Sequence, residues 1–339
     1  MNIKELLEWH FSEETGSPYW NDLRSRLDFD PIKEIHDVAG LRLLPDPSKD
    51  MSMRPYEDFL PRGLVGERLA GVYESGGTSG RPKRVAVYDK WLEELINWRM
   101  GTEVPECEFG NTLAVIPTGP HVVGEINRRR ASRRHGAMFS VDLDPRWAKR
   151  LAAQNERQSL TDYIRHLLDQ SLDIVETQAI RHLVATPPFL EYLAQSRDHQ
   201  DMLNDKLVSI TWGGTEMDLD TLIYLRDEVF PDVRLEGSYG NTMMLGEAKQ
   251  IDSIDDAPLF SPFDPFIAFD VVDEEGESVQ NLEQGRVLAS HISRYALIPN
   301  IKERDFATKV IHPSSGTVCV MSVHPIPTVG NTKIVEGVY

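Results

Sequence analysis

Short apolar runs alternate with longer amphipathic stretches through the middle of the chain. From Leu113 onward the apolar runs are LAVIP, HLVAT, LVSITW and VRLEGSYG, and a representative amphipathic stretch between them is WAKRLAAQNERQSLTDYIRHLLDQSLDIVETQ. Strands of this length separated by helices predict βαβ units and a mostly parallel sheet. Ligands of such sheets bind at the carboxyl ends of the strands, so we expect the functional residues in the loops that follow them.

The hydrophobic pattern changes after Pro262. The segment PFIAFDVVDEEGESV predicts a β-hairpin that turns at residues 274–276, and GRVLAS predicts a further strand. We therefore expect an α/β fold in which residues 1–260 form parallel-rich sheets flanked by helices. Residues 261–339 are expected to form a β-rich closing subdomain of the same core.

Length and composition are those of a globular protein. A chain of 339 residues with 40% hydrophobic residues can bury a sizeable core. The N-terminus is charged, and no apolar run approaches the roughly 18 residues of a membrane span, so we expect neither a signal peptide nor a membrane span. Cys107 and Cys319 lie far apart without metal-ligand spacing, which predicts two buried thiols in the reducing cytosol.

Acidic residues outnumber basic ones, with 54 Asp and Glu against 36 Lys and Arg and a net charge of -18. Such a charge repels nucleic acid and anionic lipid, so neither is an expected partner. One dense basic run, NRRRASRRH at residues 127–135, contains five arginines that could meet phosphate groups. A solvated helix face is the more common setting of such a run, and we favour it.

Residues 73–85, YESGGTSGRPKRV, concentrate small residues that add nothing to a core. Glycines let backbone N–H groups approach a phosphate, and the Ser and Thr hydroxyls add donors. Lys83 follows Pro82 soon after the last glycine, which is unlike a flexible linker. The kinase-type loop G-x-x-x-x-G-K-[ST] is excluded by this spacing, because Pro82 precedes the lysine and Arg84 follows it. The stretch predicts a phosphate site formed by Ser75, Gly76, Gly77, Thr78, Ser79, Gly80 and Lys83.

The motif S-G-G-T-S-G-R-P-K closely resembles the phosphate loop of the adenylate-forming superfamily, which includes acyl-CoA synthetases, firefly luciferase and the adenylation domains of peptide synthetases. Four further segments resemble other motifs of that superfamily and follow in its order: PTGPHVVG, VSITWGGTEM, EGSYGNTMMLGEA and SRYALIPNIKERDFA. The resemblance implies the large N-terminal domain of the adenylate-forming fold, with ATP and Mg²⁺ as cofactors.

The resemblance also implies which residues bind the nucleoside. The loop Gly213, Gly214, Thr215 would lie along one face of adenine, and Tyr239 would stack on the ring. Asp305 would bind the ribose hydroxyls, a task that suits a carboxylate because it can accept both hydrogen bonds.

Three residues would be catalytic by the same resemblance. His121 would lie between a carboxylate substrate and the nucleotide. Thr242 would contact the α-phosphate, and Lys83 would contribute positive charge to the phosphates. The resemblance thus implies that a carboxylate oxygen attacks the α-phosphorus of ATP and that pyrophosphate leaves.

The sequence departs from the superfamily pattern at the metal and at the ribose contact. Met243 stands where the superfamily has a glutamate that helps to hold Mg²⁺. Glu247 is the carboxylate that we expect to replace it, and Glu216 is a second candidate; Mg²⁺ needs few protein ligands because it keeps several waters. Arg304 abuts Asp305, so the usual Thr-Gly before the aspartate is missing.

Only 34 residues follow Asp305, fewer than the roughly 50 that an independent domain requires. The resemblance therefore implies that the mobile C-terminal domain of the superfamily, which carries a lysine that stabilises the adenylation transition state, is not part of this chain. We expect slow adenylation without that lysine and thioester formation only with another protein.

The nearest resemblance is to the phenylacetate-CoA-ligase-like branch and, within it, to the phenazine antibiotic biosynthesis type. It implies activation of an aromatic acid, such as a phenazine carboxylic acid, in a pocket beside His121, Trp212 and Tyr239. A reductase, a carrier protein or an amine ligase would then receive the acyl group. Two alternatives stay open: one half of a split acyl-CoA ligase, completed by a small lysine-bearing protein, and a non-catalytic nucleotide- or ligand-binding protein. Met243 favours the last, whereas Lys83 speaks against it.

Overall fold

A computed structural model describes residues 2–75, 81–154 and 156–326 of the chain, together with the backbone of residues 328–329 and 332–333. The chain divides into two compact units. The first unit comprises Met1–Leu95, Asn241–Glu247 and Ser261–Met321, and the second comprises Ile96–Gly240, Ala248–Phe260 and Ser322–Tyr339.

The helices of the described residues begin early in the chain and continue between the parallel strands. They are α1 (Ile3–Phe11), α2 (Pro18–Arg24), α3 (Pro31–Glu34), α4 (Ser48–Met53), α5 (Asp89–Met100), α6 (Val122–Arg133), α7 (Pro145–Ala153), α8 (Arg157–Thr177), α9 (Pro187–Leu193), α10 (Arg197–Lys206) and α11 (Leu219–Tyr224). None of these described helices has the length and apolar character needed to cross a membrane.

The described strands include one parallel group, β3 to β7, and antiparallel pairs on either side of it in sequence. They are β1 (Leu69–Glu74), β2 (Arg84–Tyr88), β3 (Asn111–Ile116), β4 (Met138–Asp142), β5 (Ile180–Ala185), β6 (Ser209–Gly213), β7 (Arg234–Asn241), β8 (Gly246–Ile254), β9 (Ala257–Ser261), β10 (Ile267–Val272), β11 (Gln284–Ile292), β12 (Leu297–Ile311), β13 (Val318–Pro325), β14 (Thr328–Val329) and β15 (Thr332–Lys333).

The second unit is built on parallel strands in the order β7, β6, β5, β3, β4. Each neighbouring pair in this order runs parallel, and the last register pair of β6 and β7 places Gly213 opposite Ser238. The strands coincide with the apolar runs LAVIP, HLVAT, LVSITW and VRLEGSYG, and helices α6 and α8 contact β3. The α/β fold class and the parallel sheet predicted from the hydrophobic pattern are confirmed.

The long amphipathic stretch between β4 and β5 folds as two helices. α7 begins after Asp144, whose Oδ1 accepts hydrogen bonds from the backbone N–H groups of Arg146 and Trp147 at 2.9 and 3.1 Å. It ends at Ala153, and α8 begins at Arg157. The apolar period of the sequence therefore predicted the helical state of this segment but not its interruption.

The first unit contains the predicted hairpin. β10 pairs antiparallel with β11, and β11 pairs antiparallel with β12. In the turn after β10, the N–H of Asp273 donates to the carbonyl oxygen of Glu277 at 2.9 Å, and the N–H of Gly276 donates to the carbonyl oxygen of Asp273 at 3.2 Å. The chain thus turns at the predicted position.

Two buried indoles connect helices of the first unit to its strands and loops. Trp20 on α2 donates its Nε1–H to the carbonyl oxygen of Leu297 at 3.1 Å. Trp91 on α5 is fully buried, stacks on Phe263 with ring centroids 5.5 Å apart, and donates its Nε1–H to the carbonyl oxygen of Leu245 at 2.7 Å. Buried Trp residues need such partners for the indole N–H, so these contacts fix both the helices and the chain segments that accept from them.

The arginine run is less solvated than we expected. Arg128 is exposed on α6, but Arg130 and Arg134 are buried. Arg130 donates to Asn127 Oδ1 at 3.1 Å and to Thr211 Oγ1 at 3.2 Å. The expectation of a solvated face is therefore wrong for these two positions. Arg130 lies on the side of α6 that faces β6, and Arg134, directly after the helix, lies 4.0 Å from Glu108.

The expectation of two buried thiols is also correct for one cysteine only. Cys319 is buried, and burial raises the pKa of its thiol. Cys107 is exposed. It lies in a short 3₁₀ turn, Glu106–Glu108, in which no residue is buried.

Two histidines of the first unit are buried in the neutral form. His10 Nε2–H donates to the carbonyl oxygen of Ser293 at 2.6 Å, and His291 Nδ1–H donates to the carbonyl oxygen of Met244 at 2.9 Å. Burial lowers the pKa of His10 to about 4 and that of His291 to about 3, because the charged form would lose its hydration.

We expect the free energy of unfolding to fall as the pH drops below about 6.5, the pKa of an unfolded histidine. The unfolded chain then binds protons that the folded chain does not, which lowers stability by about 1.4 kcal/mol per pH unit for each histidine. Urea unfolding between about pH 7 and pH 5 measures this slope. His10→Gln should reduce the slope of the unfolding free energy against pH by the contribution of one histidine. His36→Gln, a substitution at an exposed position, should leave that slope unchanged. An unchanged slope in His10→Gln would contradict the neutral state of His10.

Candidate active site

A tight hairpin in the first unit positions the residues that flank the glycine-rich stretch. β1 and β2 pair antiparallel, with Glu74 opposite Arg84. One step further along, the N–H of Ser75 donates to the carbonyl oxygen of Lys83 at 3.0 Å, and the N–H of Lys83 donates to Ser75 Oγ at 3.0 Å. Ser75 and Lys83 thus close the base of the loop. The other predicted phosphate contacts lie outside the described residues: Gly76, Gly77, Thr78, Ser79 and Gly80.

The segment after β7 is the second element of the site. Asn241 caps a 3₁₀ turn, since its Oδ1 accepts from the N–H groups of Met243 and Met244 at 2.8 and 3.2 Å. Thr242 is only 6% exposed and donates its hydroxyl to the carbonyl oxygen of Glu74 at 3.0 Å. The predicted catalytic threonine is therefore fixed against β1, directly before the hairpin loop begins.

A β-bulge in β12 is the third element. Between two regular pairs of β11 and β12, residues 303–305 of β12 lie opposite a single residue of β11. The backbone carbonyl of Glu303 accepts a hydrogen bond from Arg286 Nε at 2.6 Å. Bulges re-aim side chains and occur often beside active sites. Asp305, the predicted ribose ligand, lies in this bulge.

Glu303 is a residue of the site that sequence reasoning missed. Its side chain is hydrogen-bonded to the side chain of Asn241. Burial and the negative charge of Asp305 raise the pKa of Glu303 to about 7, against the opposing effects of the Asn241 hydrogen bond and the charge of Lys83. The sequence does contain one indication of Glu303: a Glu-Arg pair stands before Asp305 where the superfamily motif has Thr-Gly.

These contacts bring four predicted residues together with two that the sequence did not indicate. Thr242 bonds to β1 beside Ser75, and Lys83 and Asp305 both act electrostatically on Glu303. We call this group the loop cluster, and it consists of Ser75, Lys83, Asn241, Thr242, Glu303 and Asp305. It combines a cation, hydroxyl groups and two carboxylates within the first unit.

The candidate metal ligands lie in different surroundings. Met243 is 4% exposed, so the side chain that replaces the superfamily's glutamate is part of the core. Glu247, the predicted replacement, is also buried, on β8, whereas Glu216 is exposed. In the part of the chain that the structure describes, no three His, Cys, Asp or Glu side chains are grouped to hold a metal ion.

In the second unit, the remaining predicted residues follow the parallel strands. His121 is the residue before α6 in the connection from β3, Gly213 ends β6, and Tyr239 lies near the end of β7. Since carboxyl ends of parallel strands share one edge of a sheet, these residues lie along the edge where ligands of such sheets bind. Thr215 Oγ1 and Trp212 Nε1 are buried there without a hydrogen-bond partner.

Three aromatic side chains, Trp212, Tyr239 and Phe260, lie close together in the second unit. The ring of Phe260 lies 6.1 Å from that of Trp212, nearly perpendicular to it, and 6.1 Å from that of Tyr239. A Cβ at Gly237 would meet both Phe260 and Trp212 at 2.8 Å, so the packing of the rings requires glycine. Phe260 carries no motif signal in the sequence and was missed.

We expect Gly213→Ala to destabilise the protein by about 1–3 kcal/mol, the usual cost of overpacking. A Cβ at Gly213 would lie 2.4 Å from the backbone oxygen of Ser238 on the paired strand, so the two strands would have to separate. Gly214→Ala is the matched control: its φ of 88° makes alanine strained by about 1–2 kcal/mol, but its Cβ would meet only Thr186 Cγ2, at 3.7 Å. Urea unfolding compares the two, and a smaller loss for Gly213→Ala than for Gly214→Ala would contradict the steric account.

Sequence comparison finds distant relatives and no matching family model. D-alanine–D-alanyl carrier protein ligases from a serotype V and a serotype III strain of Streptococcus agalactiae are each 23% identical over 251 residues. The matched region covers 69% of this chain and 43% of each relative, so the chain spans less than half the length of these curated proteins.

Structure comparison finds close matches in fold. An open conformation of 2-hydroxyisobutyryl-CoA ligase, in complex with 2-HIB-AMP and CoA, has a TM-score of 0.63 at 12% identity and covers 94% of this chain and 71% of its own. The same ligase in the thioesterification state has a TM-score of 0.63 at 11% identity, with coverages of 95% and 66%. The chain therefore shares the α/β fold of these ligases over most of its length.

Proposed function

We propose that this protein activates a carboxylic acid with ATP by forming an acyl-adenylate. The observation that carries the proposal is the loop cluster, in which Lys83, Thr242 and Asp305 come from three motifs far apart in sequence. All three lie in the first unit, where Thr242 donates to the carbonyl oxygen of Glu74, and Lys83 and Asp305 act electrostatically on Glu303. The similarity to a carrier protein ligase supports the same reaction class.

In the proposed reaction, a carboxylate oxygen of the acid attacks the α-phosphorus of ATP, that oxygen–phosphorus bond forms, and the bond to pyrophosphate breaks. Negative charge on the phosphoryl oxygens has to be stabilised, and fixed donors and cations do this best because they need no reorganisation. Lys83 supplies the cation, and the main chain of the loop after Ser75 supplies donors. Asp305 holds the ribose hydroxyls, and Mg²⁺, when bound, would neutralise phosphate charge.

Thr242 has a defined part in this proposal. Its hydroxyl hydrogen donates to the carbonyl oxygen of Glu74. Because phosphate oxygens only accept hydrogen bonds, the contact of this residue to the nucleotide is proposed to come from its backbone N–H. The hydrogen bond prevents the side chain from rotating and so keeps the turn in one position. We assign Thr242 to the α-phosphate on the basis of the superfamily resemblance.

For the second unit we propose the roles that the resemblance implies. Gly213, Gly214 and Thr215 bind adenine, Tyr239 stacks on it, and His121 contacts the acid. Metal binding by Glu247, as the sequence suggested, remains one proposal for Mg²⁺.

We propose an aromatic acid as the substrate, with a phenazine carboxylic acid as the leading example. The support is the aromatic group of Trp212, Tyr239 and Phe260 in the second unit, since flat rings pack well on aromatic side chains. The acyl-adenylate is proposed to pass to a reductase, a carrier protein or an amine ligase.

Exchange of labelled pyrophosphate into ATP tests this function and its substrate class. The panel contains benzoic, phenylacetic and phenazine carboxylic acids, with D-alanine and 2-hydroxyisobutyrate as aliphatic comparisons. We expect exchange that depends on an aromatic acid. Exchange with the aliphatic acids alone would overturn the substrate class but keep the reaction. ATP binding without exchange for any acid would favour the split ligase or the non-catalytic protein.

A further inference from the structure

Glu303 has the surroundings of a ligand-binding carboxylate. It lies in the β12 bulge, where three residues oppose one of β11, and Arg286 holds its backbone carbonyl at 2.6 Å. The bulge removes its side chain from the regular alternation of the strand and directs it toward Asn241 in the neighbouring segment. The bulge thus brings this carboxylate to Asn241, whereas regular pairing of β11 and β12 would not direct it there.

Only part of the hydrogen-bonding capacity of this carboxylate is used. Asn241 Oδ1 already accepts from two backbone N–H groups, so it is the Asn241 amide N–H that donates to Glu303. Glu303 Oε1 is shielded from solvent and has no hydrogen-bond partner. A buried carboxylate oxygen without a partner is costly, and such an exception calls for an explanation, of which a bound ion is one.

The position of Glu303 also suits the carboxylate ligand of Mg²⁺ that the proposed reaction requires. The glutamate expected at position 243 is replaced by Met243, whose buried side chain offers no charge. Glu303 adjoins the same turn through Asn241, and Lys83 and Asp305 are near enough to influence its charge. Mg²⁺ bound to nucleotide phosphates requires one or two carboxylates from a protein and keeps waters for the remaining positions.

We propose that Glu303 is the protein carboxylate that binds the divalent cation of the nucleotide complex, in place of the glutamate lost at position 243. This inference rests on the proposed function, because the cation arrives with ATP. Oε1 binds the metal, and the Asn241 amide holds the other oxygen and so orients the carboxylate. Such support of a ligand by a neighbouring donor is usual at metal sites.

Manganese binding tests this assignment without relying on activity. Mn²⁺ replaces Mg²⁺, α,β-methylene-ATP serves as the unreactive nucleotide, and electron paramagnetic resonance measures free and bound Mn²⁺. Glu303→Gln keeps the shape and an acceptor for Asn241 but removes the charge. We expect at least about a tenfold loss of Mn²⁺ affinity in the nucleotide complex, in line with losses at other metal sites. The affinity for the metal-free nucleotide, measured in EDTA, should not fall.

Glu275→Gln is the matched control, an identical substitution at an exposed position of the same unit. It should leave Mn²⁺ affinity unchanged. If Glu303→Gln does not fold, Glu303→Asp keeps the charge and shortens the side chain, and it should weaken Mn²⁺ binding severalfold. In wild-type protein with ¹³C-labelled glutamate, electron–nuclear double resonance should show a carboxylate carbon coupled to Mn²⁺.

The outcomes separate this inference from the proposed function. A wild-type protein that binds neither nucleotide nor its Mn²⁺ complex would overturn the function itself. A wild-type protein that binds the complex, with Glu303→Gln retaining Mn²⁺ affinity within about twofold, would overturn only the role of Glu303. If Glu247→Gln loses Mn²⁺ affinity and Glu303→Gln does not, the metal is assigned to Glu247 and the inference is overturned.

Discussion

Lys83→Ala is expected to lower acid-dependent pyrophosphate exchange by about 10²- to 10³-fold, the usual loss when a fixed stabilising group is removed from a charged transition state. Lys83 lies at the base of the hairpin loop. Its N–H donates to Ser75 Oγ, and its carbonyl oxygen accepts from the N–H of Ser75. Both contacts are made by the main chain and survive the substitution. Thermal unfolding should therefore be unchanged, so a loss of exchange would report the missing charge.

Arg84→Ala provides the control for charge. Arg84 directly follows Lys83 as the first residue of β2, is exposed, and pairs with Glu74 at 3.0 Å. Successive residues of a strand point to opposite faces, so this cation is directed away from the side chain of Lys83. Exchange in Arg84→Ala should stay close to the wild-type rate. Equal losses in the two variants would show that general charge, and not the position of Lys83, matters.

Trp91→Ala is expected to destabilise the protein by about 3–5 kcal/mol, the range for large buried aromatics. The ring is fully buried and packs against Phe263, Phe266 and His291 with centroids 4.5–5.8 Å away. Its loss also leaves the carbonyl oxygen of Leu245 without the indole N–H. Leu245 ends the turn of the loop cluster with φ of 53°, a left-handed conformation that its surroundings have to maintain.

Trp91→Phe separates packing from hydrogen bonding. It keeps most of the apolar contact but removes the donor to Leu245, so we expect a smaller loss, about 1–3 kcal/mol. Urea unfolding gives both values. If Trp91→Phe matches the wild type both in stability and in the rate of pyrophosphate exchange, the indole N–H has no part in holding the turn.

The main features of the fold were predictable because they depend on hydrophobic period. The apolar runs LAVIP and LVSITW form the largely buried strands β3 and β6, because consecutive apolar residues are typical of strands covered on both faces. The hairpin after β10 was predictable for a similar reason, since acidic residues and Gly276 interrupt two apolar runs. The gap between α7 and α8 was not, because helical period continues through it.

The loop cluster was predictable only in part. Lys83, Thr242 and Asp305 belong to recognisable motifs, whereas Glu303 depends on a bulge that arises from the pairing of β11 with β12. Register irregularities are long-range features, and no local pattern near residue 303 specifies them. Burial of Arg130 was missed for a related reason: an arginine can be buried when acceptors such as Asn127 Oδ1 and Thr211 Oγ1 surround it.

The most direct test of acyl-adenylate formation is a single-turnover reaction of excess protein with ATP labelled at the α-phosphorus and the acid that gives exchange. The products are separated immediately after acid quench. We predict labelled acyl-AMP, with pyrophosphate released in equal amount, and neither product without the acid. Labelled ADP formed with the acid would mean attack at the γ-phosphorus, and unchanged ATP would mean that the loop cluster does not activate acids; either result would contradict the account.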